Sequence, residues 1–182
     1  MDERLNELAF SVENECGCNE RPIVLRALRD AARDFCIRSE SWIGKFRYDN
    51  DSGNDFYDGA GALDAYVHRV LRVEFLHNKQ CCRLHEREYE LADANMVKLK
   101  KEHKAENVSQ IRIVSVLIPN AGSDKLPKEL ITLYRDGLVY GACSRIVRQV
   151  GKEWFSPELE QMFQVQYLRE VTKAICRTEN EN

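Results

Sequence analysis

Between residues 141 and 167 the chain reads GACSRIVRQVGKEWFSPELEQMFQVQY, and the join inside this stretch constrains the fold more than any other feature. Gly151 stands where a helix C-cap glycine belongs, because the residue that closes a last turn is left-handed and glycine adopts that conformation without a Cβ penalty. Ser156 then offers an N-cap hydroxyl. Pro157 suits the first helical position, where no N–H is needed, and Glu158 puts a carboxylate at the positive end of the new helix. Two helices, about 127–149 and 157–177, are therefore predicted to fold back on each other as a hairpin. Pro127 starts the first, and Leu159, Phe163, Tyr167, Val171 and Ile175 give the second a stripe to bury. Gly137 and Gly141 share one face of the first helix, and each costs about 1 kcal/mol against alanine there. The missing side chains imply a neighbouring helix packed tightly on that face. Trp154 and Phe155, adjacent in the join, do not readily enter one core together. One is expected beneath the hairpin, the other against a subunit or partner.

The rest of the chain supplies further helices and a strand-rich middle. Leu5, Leu8, Ala9 and Val12 define a first helix over 4–15, and RPIVLRALRDAARDFCIRS a second over 21–39. In the second, Val24, Leu28, Ala31 and Phe35 cluster at helical spacing, with Arg26, Arg29 and Arg33 roughly opposite. WIGKFRY (42–48) alternates Phe46 and Tyr48 with Lys45 and Arg47, as a half-buried strand does. The stretch 49–64 reads as loop. YVHRVLRVEFL (66–76), the turn HNKQ and a return through Cys81 and Cys82 predict a hairpin. Tyr89, Ala92, Met96 and Leu99 predict a helix over 86–104, and SQIRIVSVLIP (109–119) a buried strand. Residues 178–182 are expected to fray. The fold class expected is α+β, mainly α. It is a single domain over 1–182, a helical bundle with a C-terminal helical hairpin and a small antiparallel β-sheet or hairpin insertion.

Several kinds of chemistry lack their signatures. Cys16-Gly-Cys18 and Cys81-Cys82 do not have the spacing of zinc ligand pairs, and the aspartates of 49–64 lack the ligand order and closing Glu of a calcium loop. There is no HExxH and no GxxxxGK[ST], and Gly59-Ala60-Gly61 lacks the strand–helix context of a dinucleotide turn. The seven cysteines are an odd count that suits a reducing compartment, and no apolar run approaches the roughly 20 residues of a membrane span. No catalytic residue, metal or cofactor is therefore assigned, and the chain is not expected to be an enzyme. Net charge is −3, but it is laid down in blocks: 1–20 carries six acids and one base, 21–48 seven bases and three acids, and 49–65 five aspartates and no base. A duplex-coating module would show a basic excess instead, and alternating blocks suit a protein that meets several neighbours.

Two stretches resemble a known family. ALRDAARDFCIRS (27–39), with Trp42 just beyond it, resembles the alanine- and arginine-rich helix ending in Phe-Cys, then a Trp at the start of a strand, of tailed-bacteriophage head–tail connector (adaptor) proteins. LPKELITLYRDGLVYGACSRIVRQVGKEWFSPELEQMFQVQYLREVTKAI (126–175) resembles their closing helical hairpin. The middle departs from the pattern: where relatives often carry a Tyr-x-Leu-Pro strand end, this chain reads FYDGAGALDAYV. The resemblance implies a structural virion protein at the head–tail junction, made in the host cytoplasm. It would form a homo-oligomeric ring, usually of about twelve copies, beneath the capsid portal protein. The ring would join the next neck or tail protein (stopper, nozzle or tail tube) and let DNA pass non-specifically through its channel, with no membrane involved. Carried over by position, 157–182 would face the portal, with Arg169, Lys173 and Arg177 as its cations. The 49–64 loop (Asp55, Phe56, Tyr57) and the 77–80 turn (His77, Asn78) would lie on the tail side. Arg26, Arg29, Arg33, Trp42, Trp154 and Phe155 would meet a subunit or partner, the arginines against an acidic segment such as 49–64. The alternative is a small nucleic-acid-binding or regulatory helical protein that uses the Arg-rich second helix.

Overall fold

The computed structural model describes residues 3–50, 54–61, 63–77, 80–100, 110–123 and 125–181. The chain divides into two compact units, one made of 1–42 with 119–182 and the other of 43–118. The first is helical: α1 (Glu3–Cys16), α2 (Arg21–Ser39), α3 (Lys128–Leu133), α4 (Arg135–Val147) and α5 (Pro157–Glu181). Helix α4 is its centre, with α1, α2 and α5 all packed on it. The two glycines explain how. A Cβ on Gly141 would lie 2.9 Å from ring carbons of Tyr167 and 3.1 Å from the Ala31 methyl, and one on Gly137 would lie 2.6 Å from the Phe35 ring. Close approach at these two positions lets α2 and α5 both pack against the same glycine edge of one short helix.

Three helical boundaries differ from those the sequence predicts. The single helix over 127–149 is two, interrupted at Tyr134 (φ −130°, ψ 28°), whose ring packs 5.1 Å from that of Phe35. That aromatic contact is tertiary and leaves no periodic signal. Helix α4 ends at Val147, and Gly151 takes its left-handed conformation (φ 83°) in the turn that follows rather than at the cap itself. Helix α5 continues through Glu181, beyond the expected end at 177, and the Thr178 hydroxyl bonds back to the Ala174 carbonyl at 2.9 Å. Helix α2 closes on Glu40 at φ 49°, whose N–H donates to the Cys36 carbonyl at 2.9 Å. This is a glycine-type C-cap carried by a residue with a Cβ.

The second unit holds β1 (Ile43–Asp49), β2 (Phe56–Asp58), β3 (Ala65–His77), β4 (Gln80–Arg83), β5 (Tyr89–Leu91), β6 (Met96–Leu99) and β7 (Gln110–Pro119). They form a four-stranded sheet ordered β1-β7-β3-β4 and a three-stranded sheet ordered β2-β6-β5. Val73, Phe75, Ile111 and Ile113 from the first meet Tyr57, Tyr89, Val97 and Leu99 from the second in one core. The fold is thus α+β with 49% helix and 26% strand in two antiparallel sheets, not a mainly helical bundle with a small hairpin inserted. The error sits at 86–104. Residues 86–88 make a 3-10 turn, β5 and β6 follow, and 101–104 lie outside the described residues. Tyr89, Met96 and Leu99 match a helical period, but the buried side chains Val97 and Leu99 alternate with Lys98. Asn95 makes the difference: its side chain accepts from Val67 N at 2.9 Å and donates to the Ala65 carbonyl at 3.0 Å, and its carbonyl accepts from Gly59 N at 2.7 Å. Those partners are distant in sequence. They tie the β5–β6 turn to two other segments, and no local propensity competes with three long-range bonds.

Gly141→Ala should lower stability by about 1–3 kcal/mol through overpacking against Tyr167. Glu40→Gly should raise it by about 0.5–1 kcal/mol by removing the left-handed strain. Urea denaturation of the two variants beside the unsubstituted chain measures both.

Candidate interaction surface

At the centre of the helical unit Asp34 of α2 accepts from the Tyr167 hydroxyl of α5 at 2.6 Å, from Arg38 Nε at 2.9 Å, and lies 3.1 Å from Arg145 Nη2 of α4. Arg145 also donates to the Gly141 carbonyl at 2.7 Å, and its guanidinium sits 5.7 Å from the centre of the Tyr167 ring. Burial by itself pushes the Asp34 carboxyl up, but the hydrogen bonds from Tyr167, Arg38 and Arg145 together outweigh it, so its pKa lies below the ordinary value. Burial, then the bond to Asp34, pushes the Tyr167 phenol up. One carboxylate thereby joins the three helices α2, α4 and α5.

Helix α5 has two characters. Phe163, Tyr167, Val171 and Ala174 are buried, with Phe163 stacked 6.2 Å from Tyr140 of α4. Leu159, Met162, Val165 and Leu168 are exposed at 37%, 46%, 60% and 42%. They follow one another at i+3, neighbouring positions on a helix surface, and so make an apolar ridge crossing the outer side of a helix about 37 Å long. The turn before α5 adds to it. Phe155 is 40% exposed, while Trp154 is half-buried under the Lys152 ammonium, 5.2 Å from the ring centre. The Trp154 Nε1 is shielded from solvent and has no hydrogen-bond partner among the described residues. The sequence marks Leu159 only as part of a buried stripe. The exposed ridge escapes it, because an i+3 row crosses the helix surface diagonally and belongs to no single face.

The other residues singled out by sequence are dispersed. Arg26 is exposed and Arg29 half-buried, and Arg33 donates to the Pro119 carbonyl, so the arginine stripe of α2 is not a free basic face. Trp42 and Tyr57 are core residues, exposed by only 7% and 2%, and offer no surface to a partner. Asp55 is half-buried; Phe56 is exposed beneath the Lys98 ammonium, 5.6 Å from its ring centre. His77 is the last residue of β3, and Asn78 lies outside the described residues. On α5, Arg169 and Arg177 are exposed and Lys173 pairs with Glu170 at 2.6 Å.

Cys36 is fully buried, and burial pushes its thiol up to about 12. A shallow hollow in the β unit gathers His68, Arg69, Arg83, Glu86 and Glu90, and no cysteine or serine among the described residues lines it. Among the described residues no three His, Cys, Asp or Glu side chains gather as a metal site, and no helix is long and apolar enough to cross a membrane. No protein-family model matches the chain, and no curated protein matches it either.

A depressed native pKa makes Asp34 stabilising above its unfolded value near 3.9, and that contribution disappears as pH falls through the native value. Asp34→Asn should cost about 2–3 kcal/mol at pH 7 by stranding Arg145 and Arg38. The variant should also show a weaker loss of stability between pH 5 and 3 than the unsubstituted chain, as urea midpoints across that range would report.

Proposed function

We propose that this protein is a structural adaptor of the head–tail junction of a tailed bacteriophage. Copies assemble beneath the capsid portal as a ring that joins the portal to the next neck or tail component. The observation that carries the reading is the apolar ridge of α5, Leu159, Met162, Val165 and Leu168, continued by Phe155 in the preceding turn. A monomeric domain gains nothing from exposing a contiguous apolar row beside its own core, whereas a ring subunit needs a patch that meets a different patch on the next copy. The ridge lies within 126–175, the stretch that resembles the closing hairpin of the connector family, where helices build the ring. Its occupant in this reading is the neighbouring copy. This gives the first part of 157–182, a segment expected as a whole to face the portal, to the neighbouring copy, and leaves portal contact to the later part with Arg169, Lys173 and Arg177.

The alternative, nucleic-acid binding through the arginines of α2, loses support: Arg33 is engaged with Pro119 and Arg29 is half-buried, which leaves Arg26 as the exposed member.

The solution mass of the purified protein, alone and mixed with the portal of its own phage, tests the reading. A ring, or a monomer that assembles on the portal, is the expected result, and a monomer indifferent to the portal overturns it. Val165→Asp, on the exposed ridge, should abolish assembly while leaving Tm unchanged. Assembly by that variant at the unsubstituted level would remove the ridge from the interface.

A further inference from the structure

We infer that Cys16 and Cys143 are a redox-active pair, joined as a disulfide between α1 and α4 when the chain meets a small peroxide. Helix packing brings them together. Leu5, Leu8, Ala9, Val12 and Cys16 form the buried face of α1, which lies on α4. Cys16 is the last residue of that face and of the helix. The Cys143 sulfur lies 4.0 Å from the Val12 carbonyl oxygen, one helical turn before Cys16, so it reaches the closing turn of α1. There the Cys143 thiol hydrogen-bonds the Cys16 sulfur. Gly17 then reverses the chain at φ 70°, its N–H donating to the Glu13 carbonyl at 2.9 Å, as a helix-closing glycine does. The reversal turns the Cys18 N–H back onto the Cys16 sulfur as a second donor.

The two sulfurs are placed for different tasks. The bond from Cys143 lowers the Cys16 pKa against the opposing effect of burial, and the Cys18 N–H lowers it further. Cys143 is raised, first by that same bond and then by burial, so it keeps its proton. Cys16 retains 5% exposure, and Cys143 none. Cys16 is therefore the sulfur an oxidant meets first. Its thiolate attacks one oxygen of hydrogen peroxide; the O–O bond breaks, and Cys16 becomes a sulfenic acid. Hydroxide leaves and takes up the proton that Cys16 had lost. The Cys143 sulfur then attacks the Cys16 sulfur; the S–O bond breaks, and the hydroxyl leaves as water with the Cys143 proton. Two thiols have lost two electrons, and one peroxide has become two waters.

The bland explanation is that buried cysteines fill the core as small hydrophobes. It suits Cys36, whose thiol responds to burial and to the Arg33 charge and to no other cysteine. It does not account for two thiols, distant in sequence, that meet at the closing turn of α1 with two donors aimed at one of them. A metal is not their purpose, because among the described residues no three His, Cys, Asp or Glu side chains gather as a metal site. Cys18 is the competing partner for Cys16, but what it offers is its backbone N–H, and burial raises its own thiol. Cys143 is the residue that brings a thiol to Cys16. In a reducing compartment both stay reduced, and the link appears only under oxidation.

The link forms within one chain, with or without a portal, so it stands or falls separately from the adaptor reading. The test treats the purified, fully reduced protein with hydrogen peroxide and blocks the remaining thiols in denaturant. Disulfides are then mapped by mass spectrometry of a digest made without reductant. The expected result is a peptide pair joining Cys16 to Cys143, separate from whatever befalls the exposed Cys81, Cys82 and Cys176. Because it closes a long loop in the unfolded chain, the link should raise the urea midpoint, and dithiothreitol should reverse the rise. Cys143→Ala should lose the link and carry Cys16 on to the sulfinic acid. Two results would overturn the assignment: Cys16 and Cys143 still reduced when Cys176 is fully oxidised, or Cys16 recovered in a disulfide with Cys18. Mapping of the unsubstituted chain decides between them even if the variant does not fold.

Discussion

The closeness of α4 to both α2 and α5 is the constraint from which the helical unit follows. It depends on two absent side chains, at Gly137 and Gly141, and on one carboxylate, Asp34, that the approach makes reachable. The terms are coupled. Tyr167 lies against Gly141 through its ring and against Asp34 through its hydroxyl, and Arg145 bonds the Gly141 carbonyl while it pairs with the same Asp34. A partly buried carboxylate with several donors is stabilising only if every donor stays in place. The packing of the glycine face and the polar network therefore enforce each other's geometry, and neither would persist alone.

That coupling shows what a sequence can disclose about such a unit. The spacing of Val24, Leu28, Ala31 and Phe35 identifies α2, and Ser156-Pro157-Glu158 places the start of α5, because periodicity and capping are local. The tight helix packing is implied by the cost of two glycines in one helix. The Asp34 network is not legible, since Asp34, Arg38 and Arg145 look like ordinary surface charges until three helices bring them together. The exposed ridge of α5 is also concealed. Leu159 falls within the buried stripe by spacing, and only packing reveals that Phe163 and Tyr167 go in while Met162 and Val165 stay out.

The β unit is less readable for a related reason. Strands β1, β3 and β7 announce themselves through alternation or a continuous apolar run. The smaller sheet is built from strands of three and four residues, too short to show a period, and its placement depends on Asn95 reaching back to Ala65 and Val67. Short segments held by long-range bonds are where a chance helical spacing misleads. The charge on the larger sheet is hidden in the same way. Lys45, Arg47 and Arg112 are scattered along the chain, and the β1–β7 register alone collects them on one side of the sheet.

The two surfaces differ in the physics of what they can bind. The α5 ridge offers apolar area, whose contribution scales with the area removed from water and is little affected by salt. It suits a contact that must endure. The sheet face offers charge in water, where each ion pair is worth little and is screened within about 10 Å at 0.1 M salt. It suits a contact that must form and release. Glu74 limits the second further by neutralising part of the charge of Arg72 and Arg112. The arginines of α2 offer neither kind of surface, because the fold has already taken Arg33 into the helical unit.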